Sequence, residues 1–190
     1  MKDQIRILGI DDGPFKFNQK SVLVIGVIMR IPTYIEGICR TRVTVDGKDA
    51  NKILENVIKK SNYKDQIRLI MLDGVALGGF NVVDIEKLYH ATEIPVTTIT
   101  RTEPDLQNIK NTLKKHLPDW ESRWKIINNL ELVKVLTNYN PIFIKYIGIN
   151  KSEVQRLIKL STIRGVLPEP IRVAHLIATA MVKGESSGRA

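Results

Sequence analysis

The chain has 190 residues, with 29 Lys and Arg against 20 Asp and Glu, a formal charge of +9 with histidine neutral. Hydrophobic residues at 43% and charged residues at 26% make a globular composition, which excludes a disordered or collagenous chain. The single cysteine, Cys39, excludes a disulfide framework and a cysteine-based zinc cluster within one chain.

At this length one domain spanning residues 1–190 is expected, large enough to bury its own core. The charge is skewed. Residues 1–100 hold 14 basic and 12 acidic side chains, and residues 101–190 hold 15 and 8. A basic surplus points to an anionic partner such as nucleic acid, or simply keeps the protein in solution. Met1 to Ile10 lacks a basic segment leading into a long apolar one, and the longest apolar stretch, Val22 to Met29, is too short to span a bilayer. The expectation is a cytoplasmic protein with no membrane partner.

Ile5 to Ile10 predicts a short strand that ends in the turn signal Asp11-Asp12-Gly13-Pro14. Ser21 to Met29 is rich in β-branched residues and predicts a buried strand. After Pro32, Tyr34 to Val45 predicts a third strand, in which Cys39, Thr41, Val43 and Val45 alternate with Arg40, Arg42, Thr44 and Asp46. A helix capped by Asp49 follows, with Ile53, Leu54, Val57 and Ile58 on one face. Ile67 to Leu72 predicts a strand ending in Asp73-Gly74. A short helix opened by Asp84 runs through Tyr89, and Pro95 to Thr100 predicts another strand. Thr102-Glu103-Pro104-Asp105 predicts the start of a helix with Leu106, Ile109 and Leu113 on one face, and a second short helix is predicted around Trp120 to Ile127. Leu132 to Leu136 and Pro141 to Ile147 predict two weaker strands. Ser152 to Leu160 and Ile171 to Val182 predict the last helices, the second with Pro170 in its first turn. A polar tail runs from Gly184. Three strands in an antiparallel meander, followed by β-α-β units, make an α/β fold with a mixed sheet and helices on both faces, the ribonuclease H-like arrangement.

Asp11, Asp12, Asp46 and Asp73 all stand at the ends of predicted strands, where an α/β sheet opens into loops that bind ligands. Carboxylates that converge there repel one another unless a cation joins them, and oxygen ligands suit Mg²⁺ or Mn²⁺. Such an ion can activate water and neutralise charge on a phosphodiester. An Asp before a glycine is also an ordinary turn residue, and Asp12 reads either way. Gly78-Gly79, after Asp73, permits a tight loop but matches no phosphate-binding motif. His90 and His116 read as solvated. His175 shares a helix face with Arg172, and a lone helical histidine is more often a core partner than a ligand. Cys39 reads as core. Tyr34, Phe15, Phe17 and Phe80 lie where they could stack on bases or pack the loops.

The segments Gly9-Ile10-Asp11-Asp12-Gly13-Pro14-Phe15, Val45-Asp46-Gly47, Leu72-Asp73-Gly74, Gly79 to Asp84, Pro168 to Ile177 and Gly184-Glu185-Ser186 resemble the archaeal endonuclease dU family, a relative of endonuclease V. The resemblance covers nearly the whole chain. It implies a ribonuclease H-like fold and an Mg²⁺-dependent nuclease that nicks near deaminated bases. Asp11 and Asp73 match the family's acids, and Pro168 to Arg172 its Pro-Glu-Pro-x-Arg element. His175 falls where endonuclease V has a further acid. Pro32-Thr33-Tyr34-Ile35-Glu36-Gly37 resembles its strand-separating wedge. An ungapped alignment places Val43 at the position of a catalytic Glu, which leaves Asp46 or Glu36 to take that part.

The resulting expectation is a metal-dependent endonuclease. Asp11, Asp46 and Asp73 would hold Mg²⁺ or Mn²⁺, with His175 as hydrogen-bond donor or general acid/base. Arg30, Tyr34, Arg40, Arg42, Arg101 and Arg172 would contact nucleic acid. A non-catalytic nucleic-acid-binding module and a small-molecule phosphoester hydrolase are the alternatives.

Overall fold

The computed structural model describes residues 5–186, so the last part of the predicted tail, residues 187–190, lies outside the described residues. The chain opens with β1 (Arg6–Asp12), β2 (Ser21–Arg30) and β3 (Tyr34–Thr44). They form the expected antiparallel meander, with Ile10 opposite Gly26 and Val27 opposite Ile38. The first strand runs two residues beyond its predicted end. Asp11 and Asp12 stay extended opposite Ile25 and Val24, because β2 is long enough to keep offering backbone partners.

Next come α1 (Ala50–Lys59), β4 (Ile67–Asp73) and two-residue strands β5 (Ala76–Leu77) and β6 (Asn81–Val82), which pair around Gly78-Gly79. Then follow α2 (Ile85–Thr92), β7 (Val96–Thr100), α3 (Leu106–His116) and α4 (Trp120–Ile127). The chain closes with β8 (Val133–Val135), β9 (Ile142–Ile147), α5 (Lys151–Ser161) and α6 (Glu169–Lys183). The main sheet has the order β3-β2-β1-β4-β7-β9-β8. Strands β1, β4 and β7 run parallel, and β9 pairs antiparallel with both β7 and β8. This is the mixed sheet of the ribonuclease H-like fold.

Alternation along the central strands builds two cores. Leu8 and Ile10 of β1, with Ile70 and Leu72 of β4, pack against Leu54 and Ile58 of α1 and Leu88 of α2. The intervening residues Ile7, Leu69 and Met71 pack on the opposite face against Leu157 and Ile158 of α5 and Ile171 of α6. On that same face Ile25, Val27 and Met29 of β2 meet Ala174 and Ala178 of α6. Helices therefore cover both faces, and burying each such Leu or Ile contributes about 1.5–3 kcal/mol. The antiparallel pair α3 and α4 stands apart. Its Leu113, Trp120 and Ile127 bury a satellite cluster with Val75, Phe80 and Val82 of the loop that leaves β4.

Two cap expectations divide. Asp84 caps α2, its Oδ1 accepting from the Lys87 amide at 3.1 Å, and Asp105 caps α3 in the same way at 2.9 Å. Asp49 does not cap α1. Its carboxylate accepts from the Thr44 amide and hydroxyl and from Asn81, while Asn81 Oδ1 takes the free amide of Ala50 at 3.1 Å. The cap arrives from a fully buried side chain 31 residues away, which local sequence does not reveal. No helix among the described residues is long and apolar enough to cross a membrane.

Candidate metal centre

Parallel pairing of β1 with β4 sets Ile10 beside Leu72, so the next residues, Asp11 and Asp73, end adjacent strands. Both carboxylates belong to the face that carries Ile7 and Gly9 on β1 and Leu69 and Met71 on β4, and α6 covers that face. The approach of α6 is unusually close. A Cβ on Gly9 would lie 2.2 Å from the carbonyl carbon of Pro170 and 2.6 Å from the Ile171 nitrogen, so no larger residue fits there. From Pro170 to His175 the helix rises about 7.5 Å, and from Gly9 to Asp11 the strand advances about 6.6 Å. Helix and strand thus advance together, and His175 arrives over Asp11. Gly13, two residues on, again lies under the helix, its Cβ position 3.1 Å from the Ala178 carbonyl oxygen.

The result is a compact donor group. His175 Nδ1 lies 2.8 Å from Asp11 Oδ2, and Asp11 Oδ1 accepts from the Asp12 amide at 2.8 Å. One donor atom from each of Asp11, Asp73 and His175 lies within 4.8 Å of the others. Arg101, just past the end of β7, reaches Asp73 Oδ2 at 3.6 Å. Asp12, on the other face, accepts from the Gly78 amide at 2.8 Å.

Burial dominates the electrostatics. Asp11 is 4% exposed, and its pKa is pushed up to about 8 by desolvation and then by the nearby Asp73 and Asp12. Burial also raises Asp73, against the pull of Arg101, and raises Asp12, against the Gly78 amide. Two desolvated carboxylates with an imidazole beside them form a donor set that fits a divalent cation. The oxygens suit Mg²⁺ or Mn²⁺, and the imidazole nitrogen favours the transition metal of the two. Bound to Asp11 through Nδ1, His175 would also orient that carboxylate.

The other expected site residues fall in three places. Asp46 is not a member of the donor group. It lies two residues past β3 in a left-handed turn (φ 51°), and its Oδ1 accepts from the Phe80 amide at 2.8 Å. A Cβ on Gly79 would strike that oxygen at 2.4 Å, which accounts for the glycine. Arg40 pairs across β2 with Ile25, which pairs with Asp11, so Arg40 is level with Asp11 on the same face. Arg42 lies one pleat further along, and both arginines are exposed. Arg172 forms a bidentate pair with the buried Glu169 one turn before His175.

Arg30 and Tyr34 stand at the far end of β1, where Arg30 pairs with Arg6. That is five residues from Asp11, about 16 Å by strand rise. There Arg30 stacks on the exposed Tyr34 ring at 4.6 Å, and Glu36 joins Arg6 and Arg30, so Glu36 is held away from the acids. Val43 is buried in the core under α1, on the face opposite Asp11.

Three contributors escaped the reading of the sequence. The Gly9-x-Asp11-x-Gly13 pattern is one, and its period of two was the available signal. Asn81 is another. The third is Arg123 of α4, 5% exposed, which donates to the carbonyls of Asp46, Gly47 and Phe80.

Comparison with known proteins supplies the family. The model of the family described as Endonuclease dU matches residues 3–182. A UPF0215 protein of Methanosarcina barkeri is 46% identical over 191 residues, covering 100% of this chain and 97% of its own. A crystal structure of an Archaeoglobus fulgidus protein superposes with a TM-score of 0.86 at 36% identity, over 95% of this chain and 99% of that one. Ciona intestinalis endonuclease V, solved with a 24mer DNA containing an inosine followed by a ribo-adenosine, shares the fold at a TM-score of 0.61 and 13% identity, over 92% of this chain and 84% of that one. Matched along almost its entire length by model and relatives alike, the chain belongs to the endonuclease dU family.

Proposed function

We propose that this protein is a divalent-metal-dependent endonuclease that hydrolyses a phosphodiester of nucleic acid at deaminated or otherwise damaged bases. The observation that carries the reading is the Asp11–Asp73–His175 group, a buried and a half-buried acid at the ends of adjacent parallel strands with a half-buried histidine of α6 over them. Membership of the endonuclease dU family and the fold shared with a DNA-bound endonuclease V support a nuclease acting on nucleic acid.

Asp11 and Asp73 would hold Mg²⁺ or Mn²⁺, which when bound would supply an activated water and a countercharge for the phosphate. His175 would keep Asp11 oriented through its Nδ1 contact, and with the proton on Nδ1 its Nε2 would be left to take or return a proton. Arg101, Arg172, Arg40 and Arg42 would bind phosphates on the same side of the sheet. Arg30 and Tyr34 would meet the nucleic acid further along. Asp46 serves this reading by holding the Gly78–Phe80 loop beside Asp12. The burial of Val43 where an aligned acid was expected favours one rival, a binding module without catalysis.

The test is cleavage of inosine-containing, uracil-containing and undamaged oligonucleotides with Mg²⁺ or Mn²⁺. Nicking near the damaged base is expected from the wild type and not from Asp73→Asn. Cleavage retained by that variant would overturn the assignment. Binding without cleavage of any substrate would favour the module, and turnover confined to nucleotides or small phosphate esters would favour the small-molecule hydrolase.

A further inference from the structure

The antiparallel helices α3 and α4 contribute nothing to the donor group, yet they are built onto the loop that leaves Asp73. Their apolar side, including Leu106, Ile109 and Leu113, packs on Val75, Phe80 and Val82 of the loop leaving Asp73. Arg123 grips the carbonyls of Asp46, Gly47 and Phe80. The Asp46 amide then donates to Gly78 O at 2.9 Å, and the Gly78 amide donates to Asp12 Oδ2 at 2.8 Å. A continuous chain of hydrogen bonds therefore ties α4 to the strand end that carries the acids.

The outer side of this helix pair is basic in an ordered way. Residues 106–128 hold five Lys and Arg against two acids; Arg123 is buried on the inner side, which leaves Lys110, Lys114, Lys115 and Lys125 on the outer one, and α3 itself holds no acid. One of those acids, Asp119, is bonded to Arg123 and Lys48. Lys110 Nζ lies 5.3 Å from the Trp124 ring centroid, and Lys114 Nζ lies 4.6 Å from that of Trp120. The pairs are four residues apart on each helix, so they form two rungs about 6 Å apart along the seam. Each ring holds its ammonium in place, which removes part of the side-chain entropy an ordinary lysine loses on binding. The ammonium hydrogens directed away from the ring remain free to donate. Because the exposed tryptophan faces are occupied by lysine, the rungs offer charge to a backbone more readily than a stacking platform to bases.

We infer that the Lys110–Trp124 and Lys114–Trp120 rungs are a phosphate-backbone contact surface, which grips the polynucleotide on the 75–82 loop side of the strand end that carries Asp11 and Asp12. This rests on the nucleic-acid reading above and adds to it a surface of stated chemistry, a sequence-independent polyanion grip.

The experiment is fluorescence-anisotropy binding of a labelled oligonucleotide duplex to the full chain in EDTA, across a salt series. The variants are Lys110→Gln/Lys114→Gln and a control of equal charge change, Lys134→Gln/Lys151→Gln, at exposed lysines on other elements. Each lost phosphate contact lowers the slope of log affinity against log salt by about 0.9. The rung variant is expected to bind several-fold more weakly, with a slope reduced by about 1.8, while the control stays near wild type. Should the double variant fail to fold, Lys110→Gln and Lys114→Gln singly are each expected to lose about half that slope. Equal losses in rung and control variants, or no loss in either, overturn the inference. Wild-type protein that binds no duplex overturns it together with the polynucleotide reading. Wild-type protein that binds through the rungs but never nicks leaves the surface standing and removes the nuclease.

Discussion

Asp73-Gly74 and Asp46-Gly47 look alike in sequence, an acid closing an apolar strand before a glycine, and the fold uses them in opposite ways. Asp73 remains in the sheet, paired with Ile99, and its half-buried carboxylate joins the buried Asp11 and the half-buried His175 in one group. Asp46 has left the sheet in a left-handed turn and spends its Oδ1 on the Phe80 amide. The difference lies in the face and in what covers it. Asp73 ends a central strand under a helix that carries a histidine. Asp46 follows an edge strand, beside a loop whose Phe80 amide donates to its carboxylate. A carboxylate already serving a backbone amide is anchored, whereas one crowded against another carboxylate is poised for a cation.

The largest effect expected from this contrast is on catalysis. Asp11→Asn and Asp73→Asn should each lower the nicking rate by about 100-fold or more, a loss of the size seen when a key electrostatic group is removed. Asp46→Asn, which keeps an oxygen to accept from Phe80, should stay within about twofold. An Asp46→Asn loss as deep as that of Asp73→Asn would erase the distinction. Stability should show the reverse order. Arg123→Met orphans the carbonyls around Asp46 and should cost about 3 kcal/mol in denaturant unfolding, while Asp73→Asn should cost much less.

A smaller effect is on the pH dependence of the metal-free protein. Asp11, Asp12 and Asp73 have their pKa raised on folding, so the folded chain binds protons more tightly than the unfolded one. The sign follows directly: stability is greatest at acid pH and is lost as pH rises from the ordinary carboxylate range toward about 8. Asp11→Asn should flatten that decline and leave the metal-free protein more stable than wild type at pH 8. Thermal melts from pH 5 to 8 in EDTA read it, and an unchanged slope in Asp11→Asn would contradict the burial argument.

Much of the fold was legible because it is written locally. The meander, the alternation that exposes Arg40 and Arg42, and the bounds of α4 all follow from periodicity and turn residues. The site was legible in part. Asp11 and Asp73 were visible as acids on buried strands, and the family resemblance added weight to both. That His175 reaches Asp11, rather than the core around it, depends on how closely Gly9 lets α6 descend, a contact across 161 residues. Asn81 capping α1, and Arg123 organising the turn at Asp46, are likewise long-range bonds that no window of sequence contains.

Calorimetric titration of Mn²⁺ into the wild type, Asp73→Asn and Asp46→Asn tests the central claim most directly. The account predicts one site per chain in the wild type and in Asp46→Asn, and none in Asp73→Asn. Equal binding by all three proteins, or binding lost with Asp46 and kept without Asp73, would contradict it.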